Sequence, residues 1–201
     1  MKIFGDDGFR DKVGVNLLSK KFLNNFFDKI NFLIKIKKIK KIIIGYDTRA
    51  SRKYLFNIII KNIKSVKSIS YVKHPISTPG LQYLSKYQKC FGIMITASHF
   101  PANFNGFKFF INGNKLLKKD ETFIEKKILI GKKFLQKKNF KVKIKKINSK
   151  SYINFLNKIY NFNFKERIII DCANGSLAAY TDKLKFLKKN ETINVSSSGN
   201  K

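Results

Sequence analysis

Between residues 17 and 30 the apolar positions Leu17, Leu18, Phe22, Leu23, Phe26, Phe27 and Ile30 recur at spacings that keep them on one helical face. Asn16 stands where an N-cap would. Lys40-Lys41-Ile42-Ile43-Ile44-Gly45 then reads as a short buried strand closed by a glycine. A second helix follows from Ser51, carried by Tyr54, Leu55, Ile58, Ile59 and Ile63. Ile69-Ser70-Tyr71-Val72 is a strand, Pro75 and Pro79 punctuate the loop after it, and a short helical pattern runs from Leu81 to Tyr87. Phe91-Gly92-Ile93-Met94-Ile95 is a strand, Asn105-Gly106 a turn, and Phe107–Ile111 a returning strand. Asp120-Glu121 opens a helix through Phe123, Ile124 and Ile128, with its acids where the helix dipole favours them.

Strands and helices that alternate with tight connections predict an α/β fold. The expected first domain, residues 1–150, is a three-layer α/β/α unit with one mixed sheet between helical layers. Its last stretch, Gly131 to Lys150, weakens into a lysine-rich strand or linker. Tyr152 to Tyr160 is helical again, and Arg167-Ile168-Ile169-Ile170-Asp171 is a strand that starts a fresh α/β unit. Residues 151–201 therefore read as the truncated start of a second, similar domain. Ser196–Lys201 carries no core pattern, and no repeat at solenoid spacing is present.

Composition changes this picture little. Hydrophobic residues make up 43% of the 201 and charged residues 27%, enough apolar material for a core. No apolar run approaches the ~18–20 residues of a membrane span. The N-terminus lacks the apolar segment of a secretory signal. Cys90 and Cys172 are too few for a disulfide framework. A soluble, cytoplasmic protein with no membrane partner is expected.

The formal net charge of +31 at face value points to nucleic acid. Only Arg10, Arg49, Arg52 and Arg167 are arginines, however, and the lysines are scattered along the chain. Lys, Ile, Asn and Phe all have A/T-rich codons, so biased composition accounts for a solvated lysine surface. No specific nucleic-acid partner is expected, although a basic nucleic-acid-binding protein stays a rival class. Such a surface would still attract phosphorylated ligands.

The densest polar cluster is Thr96-Ala97-Ser98-His99-Phe100-Pro101-Ala102-Asn103-Phe104-Asn105-Gly106-Phe107-Lys108. A serine just past a buried strand lies where α/β proteins place ligands, and Lys108, returning near the same sheet edge, could neutralise an anion there. An ordinary serine-rich strand turn is the competing interpretation. Adjacent Ser98 and His99 cannot make a hydrolase pair, and no G-x-S-x-G elbow is present. The cysteines and histidines lack zinc spacings, and there is no G-x-x-x-x-G-K-[ST] loop.

Five strings occur in order: Phe4-Gly5-Asp6-Asp7-Gly8-Phe9-Arg10, Gly45-Tyr46-Asp47-Thr48-Arg49-Ala50-Ser51, Ser77-Thr78-Pro79, Thr96-Ala97-Ser98-His99 through Asn105-Gly106-Phe107-Lys108, and Ile170-Asp171-Cys172-Ala173-Asn174-Gly175. Together they resemble the N-terminal half of the α-D-phosphohexomutases, and among these the bacterial phosphoglucosamine mutases. The resemblance implies interconversion of glucosamine 6-phosphate and glucosamine 1-phosphate through a phosphoserine. Its ligand is a hexose or hexosamine phosphate, with a hexose 1,6-bisphosphate as intermediate and activator. It matches Ser98 to the phosphoserine, His99 and Lys108 to positions lining that site, and Arg10 to the arginine of the N-terminal loop. Asp47 and Arg49 match a pair that braces the phosphoserine loop, and Thr78-Pro79 a helix cap. Asp171 and Asn174 match the opening of the second domain.

The family also implies Mg²⁺, bound through the phosphate on Ser98 and an Asp-Gly-Asp-x-Asp-Arg loop. This chain contains no Asp-x-Asp-x-Asp string. Departures fall inside the matched region too: Asp6 replaces a usual threonine, Asp11 a glycine, Tyr46 an arginine, Arg52 a glycine, and Phe100 the asparagine after Ser-His. The expectation is therefore an N-terminal fragment incomplete for catalysis by itself. A phosphomannomutase or phosphoglucomutase fragment and a non-catalytic remnant are the alternatives, and oligomeric state is left open.

Overall fold

Alternation along the central strands divides the core in two. Ile42 and Ile44, Ile93 and Ile95, and Phe107 and Phe109 face one side of the sheet, while Ile43, Met94 and Phe110 face the other. A computed structural model describes residues 2–131, 141–160, 169–187 and 193–195. Its strands are β1 (Phe9–Lys12), β2 (Lys41–Tyr46), β3 (Ser68–Val72), β4 (Phe91–Ile95), β5 (Phe104–Ile111), β6 (Asn114–Lys115), β7 (Lys143–Ile147), β8 (Ile169–Asp171) and β9 (Ile193–Val195). The helices are α1 (Lys20–Ile36), α2 (Arg52–Asn62), α3 (Thr78–Tyr87), α4 (Lys118–Ile130) and α5 (Lys150–Ile159).

The main sheet runs β1-β5-β4-β2-β3-β7, with β6 paired to β5. Strands β4, β2, β3 and β7 are mutually parallel, and β5 is antiparallel to both β4 and β1. Apolar residues of α1, α2 and α4 pack on one face, and those of α3 and α5 on the other. The fold is α/β with a mixed sheet between helical layers, as the pattern predicts. Strands β8 and β9 form a separate parallel pair.

Two local expectations are corrected. The N-cap of α1 is Ser19, whose Oγ accepts the Phe22 N–H at 3.2 Å. Asn16 instead opens a single 3₁₀ turn, held where Asp11 accepts the Leu17 N–H at 3.2 Å. Asn105-Gly106 lies within β5 and not in a turn. The glycine is needed for close approach, because a Cβ on Gly106 would lie 2.2 Å from the Phe9 carbonyl oxygen. Strand β1, which the hydrophobic pattern does not predict, pairs with β5 through that close approach. The lysine-rich stretch after Gly131 contains β7 on the sheet edge, where exposed lysines discourage further strand pairing. Of the strand expected from Arg167, residues 167 and 168 lie outside the described residues, as does the tail 196–201. No helix among the described residues is long and apolar enough to cross a membrane.

Candidate functional site

Strand β4 is buried along its whole length and delivers the chain to the carboxyl edge of the parallel strands. The loop beyond it folds on internal hydrogen bonds. Thr96 N–H donates to the Gly106 carbonyl at 3.0 Å, Phe100 N–H to Ala97 at 3.2 Å, and Phe104 N–H to Pro101 at 3.0 Å. Buried Thr96 also accepts the Ser98 N–H on its hydroxyl at 2.9 Å and donates that hydroxyl to Asp47 Oδ2 at 2.7 Å. Ser98 itself is exposed and has φ 58°, a left-handed conformation a serine adopts only when its surroundings impose it.

Arg49, in the loop beyond the neighbouring strand β2, fixes the backbone there. Its Nε donates to Asp47 Oδ2 at 3.2 Å. Nη1 donates to the carbonyls of Pro101 at 2.7 Å and Phe104 at 3.0 Å, and Nη2 to those of Ser98 at 2.8 Å and Phe100 at 2.6 Å. All five guanidinium N–H groups are thereby committed to the protein. Asp47 is equally committed, since it also accepts the Arg49 backbone N–H at 3.0 Å. The pair braces the serine loop and has no donor left for a ligand.

Ser98 opens onto a cavity of about 980 Å³. Thr48, Arg52, Lys53, Phe56 and Tyr71 line it from the β2–α2 and β3 side. Across from them stands the turn 173–176, tied to the first sheet where the Thr48 hydroxyl donates to the Asn174 carbonyl at 2.7 Å. The Tyr46 hydroxyl donates to the Val72 and Lys73 carbonyls at 3.0 and 3.1 Å. Burial raises its pKa above the ordinary tyrosine value, partly offset by Arg52, so it stays neutral.

Of the four residues singled out in the sequence, Ser98 alone lines this cavity. Lys108 and Arg10 project to the α3 side of the sheet, opposite Phe107 and Phe9. Lys108 is 9% exposed and donates its ammonium to Asp7 Oδ2 at 2.5 Å. Burial pushes the Asp7 carboxyl up, but Lys108 and Lys115 outweigh it and hold the net pKa below the ordinary aspartate value. The Arg10 guanidinium lies 5.2 Å from the centre of the Phe100 ring, and its buried Nε has no hydrogen-bond partner among the described residues. His99 is exposed, its ring 5.4 Å from that of Phe100.

Burial lifts the Cys90 thiol to about 11, which makes it an inert core group. Among the described residues no three His, Cys, Asp or Glu side chains gather as a metal site. Asp47, the one carboxylate among the described lining residues, is already paired, so these residues do not fit the carboxylate cage that Mg²⁺ would require.

The family model for phosphoglucomutase/phosphomannomutase alpha/beta/alpha domain I matches residues 1–133. The chain belongs to this family. Among curated phosphohexomutases it is 35% identical over 185 residues to the phosphoglucosamine mutase of Buchnera aphidicola subsp. Baizongia pistaciae, covering 88% of this chain and 40% of that protein. The phosphoglucosamine mutase of Nautilia profundicola is 34% identical over 198 residues, with 90% and 42% covered. The chain thus spans about two fifths of the length of these relatives. A family protein from Burkholderia thailandensis superposes with a TM-score of 0.78 at 16% identity, covering 99% of this chain and 44% of that one. The Paramecium phosphoglucomutase parafusin, in its open form, gives 0.74 at 18%, with 100% and 44% covered. At such identities these likenesses bear on the fold alone.

The cavity wall formed by Arg52, Lys53, Phe56 and Tyr71 is absent from the candidates drawn from the sequence. It becomes visible only when strand order sets the end of β2 beside the end of β4. The one signal for it is the position of the Asp47-Thr48-Arg49 string directly after a buried strand.

Proposed function

We propose that this chain carries the phosphoserine half-site of a phosphohexomutase that interconverts glucosamine 6-phosphate and glucosamine 1-phosphate. The observation that carries the proposal is the exposed left-handed Ser98, whose loop takes four hydrogen bonds from Arg49 and faces a large cavity. The amino-sugar assignment follows the names of the curated relatives.

In the transfer step a sugar hydroxyl oxygen attacks phosphorus, the P–Oγ bond of phosphorylated Ser98 breaks, and the hydroxyl proton ends on Oγ. The reverse step from the bisphosphate returns the other phosphate to Ser98. Such a step asks mainly for positioning and charge neutralisation. Positioning comes from the fixed loop. For neutralisation, Arg10 brings an unpartnered Nε beside the same loop, and Lys108 would exchange Asp7 for a phosphate oxygen. Mg²⁺ bound to the Ser98 phosphate would lower the charge on the transferring group; its remaining ligands are not found among the described residues, and no step here depends on it. The reading takes the site as cytoplasmic and acting on free sugar phosphates, with full turnover requiring groups beyond those described.

Mass spectrometry of the chain incubated with glucose 1,6-bisphosphate is the test. A phosphoryl group on the peptide containing Ser98, absent from Ser98→Ala, is the expected result. An unmodified serine in every incubation overturns the proposal.

A further inference from the structure

The Arg10 guanidinium meets no hydrogen-bond or ion-pair partner among the described residues, and its Nε is buried. Lys108, on the same side of the sheet, is by contrast tied to Asp7. What holds Arg10 is a gap and an aromatic face. It stands opposite Gly106 in the β1–β5 pairing. A Cβ on Gly106 would lie 2.9 Å from the Arg10 Cγ, so the bare glycine gives the arginine stem its passage across β5. The stem delivers the guanidinium to Phe100, with its central carbon 5.2 Å from the centre of that ring.

Phe100 is itself fixed. Its carbonyl accepts from Arg49 Nη2 at 2.6 Å, and its N–H donates to the Ala97 carbonyl at 3.2 Å. Its ring lies 5.4 Å from those of His99 and Phe104. It also lines the cavity that Ser98 faces.

We propose that Phe100 is the positioning residue for Arg10: its ring face holds the guanidinium beside the serine loop, from which the cation reaches the phosphoryl group carried by Ser98. This rests on the reading of Ser98 as the phosphate carrier. An aromatic face attracts a cation through its quadrupole but offers no lone pair to take up the N–H groups. A carboxylate in that place would occupy donors and offset the charge, as Asp7 does for Lys108. Held by a ring, Arg10 keeps its donors for an anion. Arg49 grips the carbonyls of both Ser98 and Phe100, so the serine and the ring keep a constant relation. Phe100 touches no reacting atom in this arrangement and acts through Arg10.

Nuclear magnetic resonance and transfer kinetics on the full chain test this together. With only four arginines in the sequence, the ¹⁵N-labelled Nε–H resonance of Arg10 is assigned by its loss in Arg10→Lys. The Phe100 ring current is expected to shift it upfield. Phe100→Leu, which keeps apolar bulk and the backbone contacts, should move it downfield, and Phe100→Tyr should leave it in place. Phosphoryl uptake by Ser98 from glucose 1,6-bisphosphate, followed by mass spectrometry, should slow about fivefold in Phe100→Leu and stay near wild type in Phe100→Tyr. In an Arg10→Gln background Phe100→Leu should add nothing, a coupling that a merely structural ring would not show. An Arg10 resonance unmoved by Phe100→Leu, or a slowing that persists undiminished beside Arg10→Gln, overturns the positioning role. A wild-type Ser98 that never takes up phosphate, in a chain whose Arg10 resonance still moves with Phe100→Leu and not with Phe100→Tyr, overturns the proposed transfer and leaves Phe100 as the residue that places Arg10.

Discussion

The Arg49 guanidinium holds the Ser98 carbonyl at 2.8 Å, so the residue with the exposed hydroxyl is fixed by its backbone and not by its side chain. That division leaves Oγ free while the peptide around it cannot turn. Four carbonyl acceptors on one planar cation make the loop's shape depend on a single side chain.

Replacing Arg49 by alanine should cost about 3 kcal/mol, because several charge-assisted hydrogen bonds vanish and Asp47 loses its paired charge. For a protein of this size that is a drop in Tm on the order of 6–12 °C. Arg49→Lys should recover little, since an ammonium lacks the planar fork that reaches four carbonyls. Thermal melts and Ser98 phosphorylation should fall together in both variants.

Thr96→Val keeps the side-chain shape but removes the oxygen between Ser98 N–H and Asp47. A loss of roughly 1–2 kcal/mol is expected in denaturant titrations, because a partly buried carboxylate loses a donor. The more direct reading is faster hydrogen exchange at the Ser98 amide.

The left-handed φ of Ser98 predicts a separation of stability from chemistry. Ser98→Gly relieves a conformation that costs a residue with a Cβ about 1–2 kcal/mol, so it should be at least as stable as Ser98→Ala. Neither variant can accept a phosphoryl group. A melt in which Ser98→Gly falls clearly below Ser98→Ala would contradict the strained geometry.

Gly8→Ala and Gly106→Ala should both damage the β1–β5 contact. The new methyls would meet the Phe107 carbonyl oxygen at 1.9 Å and the Phe9 carbonyl oxygen at 2.2 Å, and backbone cannot step aside as a side chain can. Gly14→Ala is the matched control, with φ +91° but nothing within 4 Å. Its cost should stay near 1 kcal/mol of conformational strain, well below the other two in a urea titration.

Acid should unfold the N-terminal segment through Asp7 and Glu125. Burial raises the Glu125 carboxyl, but the backbone N–H groups of Phe4 and Ile3 donate to it and bring it below the ordinary value. Asp7 is likewise lowered on balance. A carboxyl lowered in the folded state contributes stability that is complete above its unfolded pKa, near 4, and lost as pH falls through the folded value. Stability should therefore be flat near neutrality and decline below about pH 4. The decline should be shallower in Asp7→Asn and Glu125→Gln, measured by denaturant midpoints across pH.

Much of the scaffold was legible in the chain because burial leaves a period. The apolar stripe of α1 and the unbroken runs of β2 and β4 announce themselves through Phe26, Ile43 and Ile93. Ser19 was missed as a cap because an Asn three residues earlier offers the same local chemistry. Only the tertiary contact of Asp11 with the Leu17 N–H decides between them. Strand β1 was missed because Arg10, Asp11 and Lys12 carry no apolar alternation; long-range pairing with β5 makes that segment a strand.

By itself the sequence determined the fold class, the family motifs and the serine at the end of a buried strand, since each depends on residues adjacent in the chain or repeated at a local period. The tertiary structure decided which cations share space with that serine. Strand order set Arg49, Arg52 and Lys53 beside Ser98 and turned Lys108 toward Asp7, because charge partners are chosen by distances across the sheet that no local pattern encodes.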